Sequence, residues 1–305
     1  MMKKNPYQRF VEPAFGLLPG PLERVAILFV VGLLVGVGVS RVGSFVSVRL
    51  PPEHMQSDSQ FIYSFNSTGI LNETGSMEES PSPYWWVDSG GQLIVGGGTG
   101  STMMGYAPAG SYWRALYQND NPEDTDEGAH PQNIFRLVTK STWENFAAQA
   151  DFFIAKDNFS SSTNRNASNG LLLMSRYADA GQTLYYAGIR VDGTAVIKKK
   201  YKGTYYTMAQ QQVFPGAYQG DQDSQNLLPH GEWISLRSEV STLADGSVEV
   251  KLFTKLPTDP GWSEVLDAAD SGQYDGTPPI SAAGFAGIRT DFMDVEFQNY
   301  KLEKL

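Results

Sequence analysis

The sequence predicts an all-β, antiparallel sandwich preceded by a single N-terminal transmembrane helix, and three observations carry that reading. Short apolar or alternating runs recur through residues 84–305 between Gly, Asp, Asn, Ser and Pro, with no sustained helical period. Two Asp-Gly turns, in Val191-Asp192-Gly193-Thr194 and Leu243-Ala244-Asp245-Gly246-Ser247, separate such runs and mark hairpins. One stretch, Val25 to Val39, is uncharged and apolar throughout.

Composition narrows the function classes. The 305 residues carry 23 Lys and Arg against 33 Asp and Glu, a net charge of −10. That balance argues against a nucleic-acid partner, which needs clustered cations to neutralise phosphates. Hydrophobic residues at 41% exclude wholesale disorder. The absence of cysteine excludes disulfides, thiol nucleophiles and thiolate metal sites. The three histidines, His54, His130 and His230, are too scattered in sequence to suggest a multi-histidine metal centre.

Taken in chain order, residues 1–24 form a tail with Lys3, Lys4, Arg9 and Arg24, and residues 25–48 the expected membrane span. Val25 to Val39 alone would cover about 22 Å as a helix, so the span needs Val42 to Val48 as well, with Arg41 snorkelling to the interface. The excess of Lys and Arg upstream predicts a cytoplasmic N-terminus and an extracellular C-terminal domain. A cleaved signal peptide competes with this signal-anchor reading, but its charged region would be long and rich in proline. Gly32 and Gly36 form one GxxxG, which glycine-rich membrane helices contain in any case.

Residues 49–83 read as a polar stalk or linker opened by Pro51-Pro52 and closed by Ser80-Pro81-Ser82-Pro83. Four N-x-[ST] sequons, at Asn66, Asn72, Asn158 and Asn166, are common enough by chance to indicate little. Residues 84–305 then hold the domain. Eleven strands are expected: Gln92–Val95, Ile134–Thr139, Ala148–Ile154, Gly170–Tyr177, Thr183–Val191, Ala195–Lys200, Thr204–Ala209, Trp233–Val240, Ser247–Phe253, Gly284–Ile288 and Met293–Leu302. Ser141–Ala148 is the one helix-like piece. That many short strands make a sandwich or barrel in one domain.

Three passages carry a resemblance. They are Asn169-Gly170-Leu171-Leu172-Leu173 with Arg176-Tyr177, then Leu184 through Arg190 with Asp192 through Lys200, and finally Gly284-Phe285-Ala286-Gly287-Ile288-Arg289-Thr290-Asp291 followed by Met293 through Tyr300. Together with the opening Tyr84-Trp85-Trp86, they resemble the concanavalin A-like lectin/glucanase superfamily, its laminin-G-like jelly-roll domains in particular. The resemblance covers 84–305 and implies a concanavalin A-like jelly-roll sandwich. Lectins, glycosidases, lyases and adhesion modules share that fold, so function has to be argued from a site.

The hydrolytic signature of that superfamily, two glutamates flanking an aspartate as E-x-D-x-E, is matched only by Phe292-Met293-Asp294-Val295-Glu296. Phenylalanine stands where the nucleophile would be, and retaining chemistry needs both carboxylates. Asp294, Glu296 and Gln298 alternate with Met293, Val295 and Phe297, the pattern of a strand with one solvated face. Glu239 and Glu249 fall on separate strands, and Gly96 to Gly100 lacks the lysine of a phosphate loop. No catalytic residue is therefore assigned.

Asp120 through Gly128, and Asp221 with Asp223, are dense in oxygen ligands, but neither has calcium-loop spacing; calcium is allowed, not indicated, and no other cofactor is expected. The remaining signal is Arg136, Arg176, Arg190 and Arg237, each inside an expected strand. Aromatic rings beside guanidiniums suit a saccharide groove, the rings for sugar C–H faces and the forks for hydroxyls or carboxylates. Arg176, Tyr186, Arg190, Trp233 and Arg237 are the carbohydrate-binding candidates; cross-strand pairing with Asp and Glu is the competing account of the same arginines. The expected function is a membrane-anchored, lectin-like carbohydrate-binding or adhesion protein with a polysaccharide or glycoconjugate ligand. A membrane-tethered glycoside hydrolase or polysaccharide lyase of the same fold is the alternative.

Overall fold

A computed structural model describes residues 54–219 and 224–305. Seventeen strands lie among them: β1 (His54–Gln56), β2 (Gln60–Tyr63), β3 (Gly69–Asn72), β4 (Trp85–Ser89), β5 (Gln92–Gly96), β6 (Thr99–Ser101), β7 (Ile134–Trp143), β8 (Phe146–Asp157), β9 (Gly170–Ala178), β10 (Thr183–Arg190), β11 (Thr194–Tyr201), β12 (Thr204–Gln212), β13 (Trp233–Thr242), β14 (Val248–Lys255), β15 (Ser263–Asp270), β16 (Gly284–Asp291) and β17 (Met293–Lys304). They form two antiparallel sheets, a jelly-roll-like sandwich. One has the order β12-β11-β10-β9-β16-β7-β4; the other runs β15-β14-β13-β8-β17-β6-β5-β3, with β2 on β17 and β1 on β2.

Alternation explains the core. The inward faces of β9, β10 and β16 bring Leu171, Leu173, Tyr185, Ile189 and Ile288 against Phe152, Ile234, Leu252, Val295 and Phe297 of the opposite sheet. The seven-stranded sheet also carries a second apolar cluster on its outer face, including Trp86, Val138, Leu172, Met174, Tyr186 and Val196. Burial on both faces is why Leu171-Leu172-Leu173 reads as a continuous apolar run.

Two expectations change here. The segment read as a stalk enters the fold at His54: β1 to β3 join the larger sheet, and Phe61, Tyr63 and Phe65 are buried in the core. Those few aromatic residues bury enough surface to order an otherwise polar stretch. Ser141–Ala148 is not helical but the end of β7, a turn at Glu144-Asn145, and the start of β8. The one α-helix among the described residues, α1 (Tyr112–Asp120), is capped by the Ser111 hydroxyl accepting from Arg114 N at 3.3 Å, and it buries Trp113 and Tyr117. No helix among the described residues is long and apolar enough to cross a membrane; the expected span at 25–48 lies outside them.

Candidate functional site

The outer face of the seven-stranded sheet holds a cavity of about 450 Å³. Its floor follows from strand register. Tyr186 on β10 pairs with Lys198 on β11 and Met174 on β9, while Arg289 on β16 pairs with Leu172 on β9. Residues two apart share a face, so Arg289 and Asp291 project from the same side of β16. Tyr205 of β12 closes one side, and Asn164, Asn166, Ser168 and Asn169 form a polar rim.

The cationic centre is built rather than loose. Arg289 Nε lies 2.8 Å from Asp291 Oδ1, and its NH1 donates to the Tyr186 hydroxyl at 3.3 Å. The guanidinium also lies 5.7 Å from the Tyr186 ring centre. Burial works against the Arg289 charge, but Asp291 and the two tyrosine oxygens outweigh it, so the group stays a firm cation. Burial, then Arg190, holds Lys198 below the ordinary lysine value. Among the described residues Lys198 has no ion-pair partner, and Asp291 is the only acid lining the cavity.

The tyrosines differ in access. Tyr186 is 2% exposed and backs the site, whereas Tyr205 is 49% exposed and presents its ring, stacked on Tyr186 at 6.2 Å and 17°. Burial pushes the Tyr186 phenol up. For Tyr205, burial would also raise it, but the charges of Arg289 and Lys200 together bring it below the usual tyrosine value. The rim is fixed by its own hydrogen bonds. Asn166 N donates to Asn169 Oδ1 at 2.7 Å, and Asn164 Nδ2 to Asp124 Oδ1 at 3.0 Å.

The five sequence candidates do not share this groove. Tyr186 lines it. Arg190 stands beside it, 2.6 Å from Asp192, and donates to Ala167 O at 2.7 Å, so it braces the rim. Arg176 is 0% exposed and donates to Glu144 O, Ile280 O, Asn145 Oδ1 and Thr242 Oγ1, which rules it out as a ligand contact. Trp233 and Arg237 lie on β13 in the other sheet, where Arg237 is held by Glu239 at 2.8 Å. Cross-strand and near-neighbour pairing thus explains most of the arginines; Arg136, too, sits 3.1 Å from Asp88.

Asp294 is not solvated. It is 3% exposed and accepts from Gln132 Nε2, Asn158 Nδ2 and Gly105 N at 2.8, 2.9 and 2.7 Å, because the segments around residues 105, 132 and 158 fold over that end of β17. The acidic loop is likewise structural: Asp124 accepts from Ser162 Oγ and Asp126 from Ser160 Oγ, both at 2.6 Å. No group of three or more His, Asp or Glu residues that could hold a metal occurs among the described residues, and Asp221 and Asp223 lie outside them.

Sequence reasoning missed Arg289, Lys198, Tyr205 and the asparagine rim as a site. The signal was present in the i, i+2 pair Arg289/Asp291, inside a passage that otherwise speaks only of fold.

No family model and no curated protein matches the chain. Among solved structures it is similar to a carbohydrate-binding module, CBM66 from Bacillus subtilis (14% identity, TM-score 0.41, 72% of this chain and 95% of that one). It is also similar to a β-1,3-1,4-glucanase from a mouse hindgut metagenome (9%, TM-score 0.43, 81% and 99%). A third likeness is to the PL-14 alginate lyase of Aplysia kurodai (10%, TM-score 0.37, 78% and 100%). At these identities the roles of individual residues have to come from the site itself.

Proposed function

We propose that the protein binds acidic glycans in the cavity on the seven-stranded sheet, displayed outside the cell by an N-terminal anchor at residues 25–48 with its N-terminus cytoplasmic. One observation supports this most: Arg289 and Lys198 converge on a polar-rimmed cavity whose only described acid, Asp291, already pairs with Arg289. In a chain of net charge −10 this is a local positive island. A guanidinium held in a fixed orientation receives a carboxylate with two hydrogen bonds, and the exposed Tyr205 ring offers a platform for a sugar's C–H face. Asn164, Asn166 and Ser168 supply groups for hydroxyls.

The test is titration of the full-length chain with polygalacturonate and alginate at low and high salt. Binding should weaken as salt rises. Lys198→Ala and Tyr205→Ala should each cost about 1–2 kcal/mol of affinity. Absence of binding to either polymer, or salt-independent binding, refutes the reading.

Tyr205 favours one second reading over glycoside hydrolysis. Hydrolysis needs two working carboxylates, whereas elimination from a uronate needs a base beside a carboxylate-neutralising cation. A phenol held below its usual value next to Arg289 suits the latter. Ultraviolet absorbance of an unsaturated uronate, appearing with the parent chain and absent with Tyr205→Phe, would convert the binding protein into a lyase.

A further inference from the structure

The outward face of the larger sheet carries a depression of its own, about 410 Å³, on the opposite side of the sandwich from the cavity. Gln149 and Asp151 of β8, Ser235 of β13, Lys255 of β14, and Asn299 and Lys301 of β17 make its polar floor, and Trp262, 38% exposed, stands at its edge. The backbone is shaped for it. Gln298 pairs with Asp151 but Lys301 pairs with Gln149, so β17 holds one residue more than β8 across this span. The extra residue makes a bulge, and Asn299 takes a left-handed φ of 54° there. Asparagine is among the few side chains that adopt this conformation readily. Asn299 Nδ2 donates to Asp151 Oδ2 at 2.7 Å, which leaves an amide oxygen and a carboxylate oxygen as neighbouring acceptors with no side-chain donor among the described residues.

Chemistry selects the occupant. One carboxylate, two amides, a hydroxyl and the ammoniums of Lys255 and of Lys301, the latter 3.1 Å from Glu303, form a mixed set of donors and acceptors, suited to hydroxyl groups, which both donate and accept. Asp151 in the floor and Glu303 beside Lys301 offset the two ammoniums, so no net positive charge is left to draw a polyanion. Eight residues line the depression, against the roughly 20–30 a side that a stable protein interface uses. The indole of Trp262 gives a sugar ring an apolar surface, and the Trp233–Phe153 ring pair, centroids 5.5 Å apart, lies on the same face two register positions along from Ser235 and Asp151. We propose that this depression is a second glycan site, for a neutral, hydroxyl-rich saccharide. It does not depend on the acidic-glycan reading of the other face. With both sites, one molecule joins two different glycan chains, since no short ligand reaches from one outer face of a sandwich to the other.

Affinity electrophoresis of the full-length chain through gels containing hydroxyethyl cellulose, arabinoxylan or galactomannan tests this. At least one polymer should slow migration, and Trp262→Ala should restore free migration. Asn299→Gly keeps the left-handed backbone while deleting the amide, so it should also lose retardation with its melting temperature retained. Retardation should persist in Tyr205→Ala, on the opposite face. Free migration of the parent chain in all three gels overturns the proposal. So does retardation that survives Trp262→Ala, or retardation that Tyr205→Ala abolishes.

Discussion

Arg176 shows how one residue's backbone can reverse the meaning of its side chain. Strict alternation along β9 puts Arg176 outward with Leu172 and Met174. Instead its φ is +53°, the register between β9 and β16 shifts at this point, and Gly284 lies opposite, where a Cβ would come within 2.5 Å of the Arg176 carbonyl carbon. The bulge turns the guanidinium inward and leaves Tyr177 on the outer face. There it bonds Glu144 O and Thr242 Oγ1 at 2.9 Å and Ile280 O at 2.5 Å, tying the β7–β8 turn, the end of β13 and the approach to β16 together. Arg176→Ala strands these acceptors without a donor, so unfolding by denaturant should show a loss on the order of 3 kcal/mol. Polygalacturonate affinity of the folded fraction should not move. Loss of affinity in a protein of unchanged stability would return Arg176 to the site. A pattern of alternating letters cannot reveal such a bulge, because a single left-handed residue changes the parity of everything around it.

At the scale of elements, strands that meet a core on one face or on both were the readable ones. Each of the eleven expected strands overlaps an observed one, since alternation survives whenever one side meets a core. Those overlooked are weakly patterned or short: β15, Ser263–Asp270, is an edge strand with exposed acids, and β1, β2, β3, β4 and β6 are only three to five residues long. The site was legible only in part for the same reason. It is assembled from β10, β11, β12 and β16, and adjacency between those strands is a matter of sheet order rather than of sequence. Lys199 is the sharpest instance. In a run of three lysines it faces inward, fully buried, 2.8 Å from the equally buried Asp270 at the end of β15, and donates to Thr277 O and Pro278 O at 3.1 and 2.8 Å. The Tyr185 hydroxyl donates to the same carboxylate at 2.6 Å. This pair links β11 and β10 of one sheet to β15 of the other. Lys199→Met leaves a buried carboxylate uncompensated and should destabilise by about 3–5 kcal/mol. Adding Asp270→Asn removes that charge and should restore part of the loss, which a double-mutant cycle measures directly. Strict additivity of the two changes would mean that the pair is not coupled.

For the whole molecule, the boundary of the folded unit decides how any soluble form of it should be made. Composition places the start of the domain at Tyr84, because residues 49–83 are mostly polar. The structure places Phe61 and Phe65, 1% and 0% exposed, inside the same core as Trp85 and Tyr300. Phe61 packs edge-on to Trp85 and to Tyr300 at 5.7 and 6.2 Å, and β2 covers Tyr300–Glu303 of β17 by strand pairing. Removing β1 to β3 deletes both rings and unpairs that stretch of β17, which would face solvent as a bare edge. Loss of a single buried phenylalanine side chain costs about 3–5 kcal/mol, and two such losses approach the roughly 5–15 kcal/mol by which domains are stable at all. A fragment beginning at Tyr84 should therefore lack a cooperative melt and aggregate through the exposed edge. One beginning at Pro51, where the compact unit starts, should melt in a single transition without detergent. Calorimetry on the two fragments separates the outcomes. A sharp transition at the same temperature in both would mean that the first three strands are an appendage, and that the aromatic cluster around Trp85 closes without them.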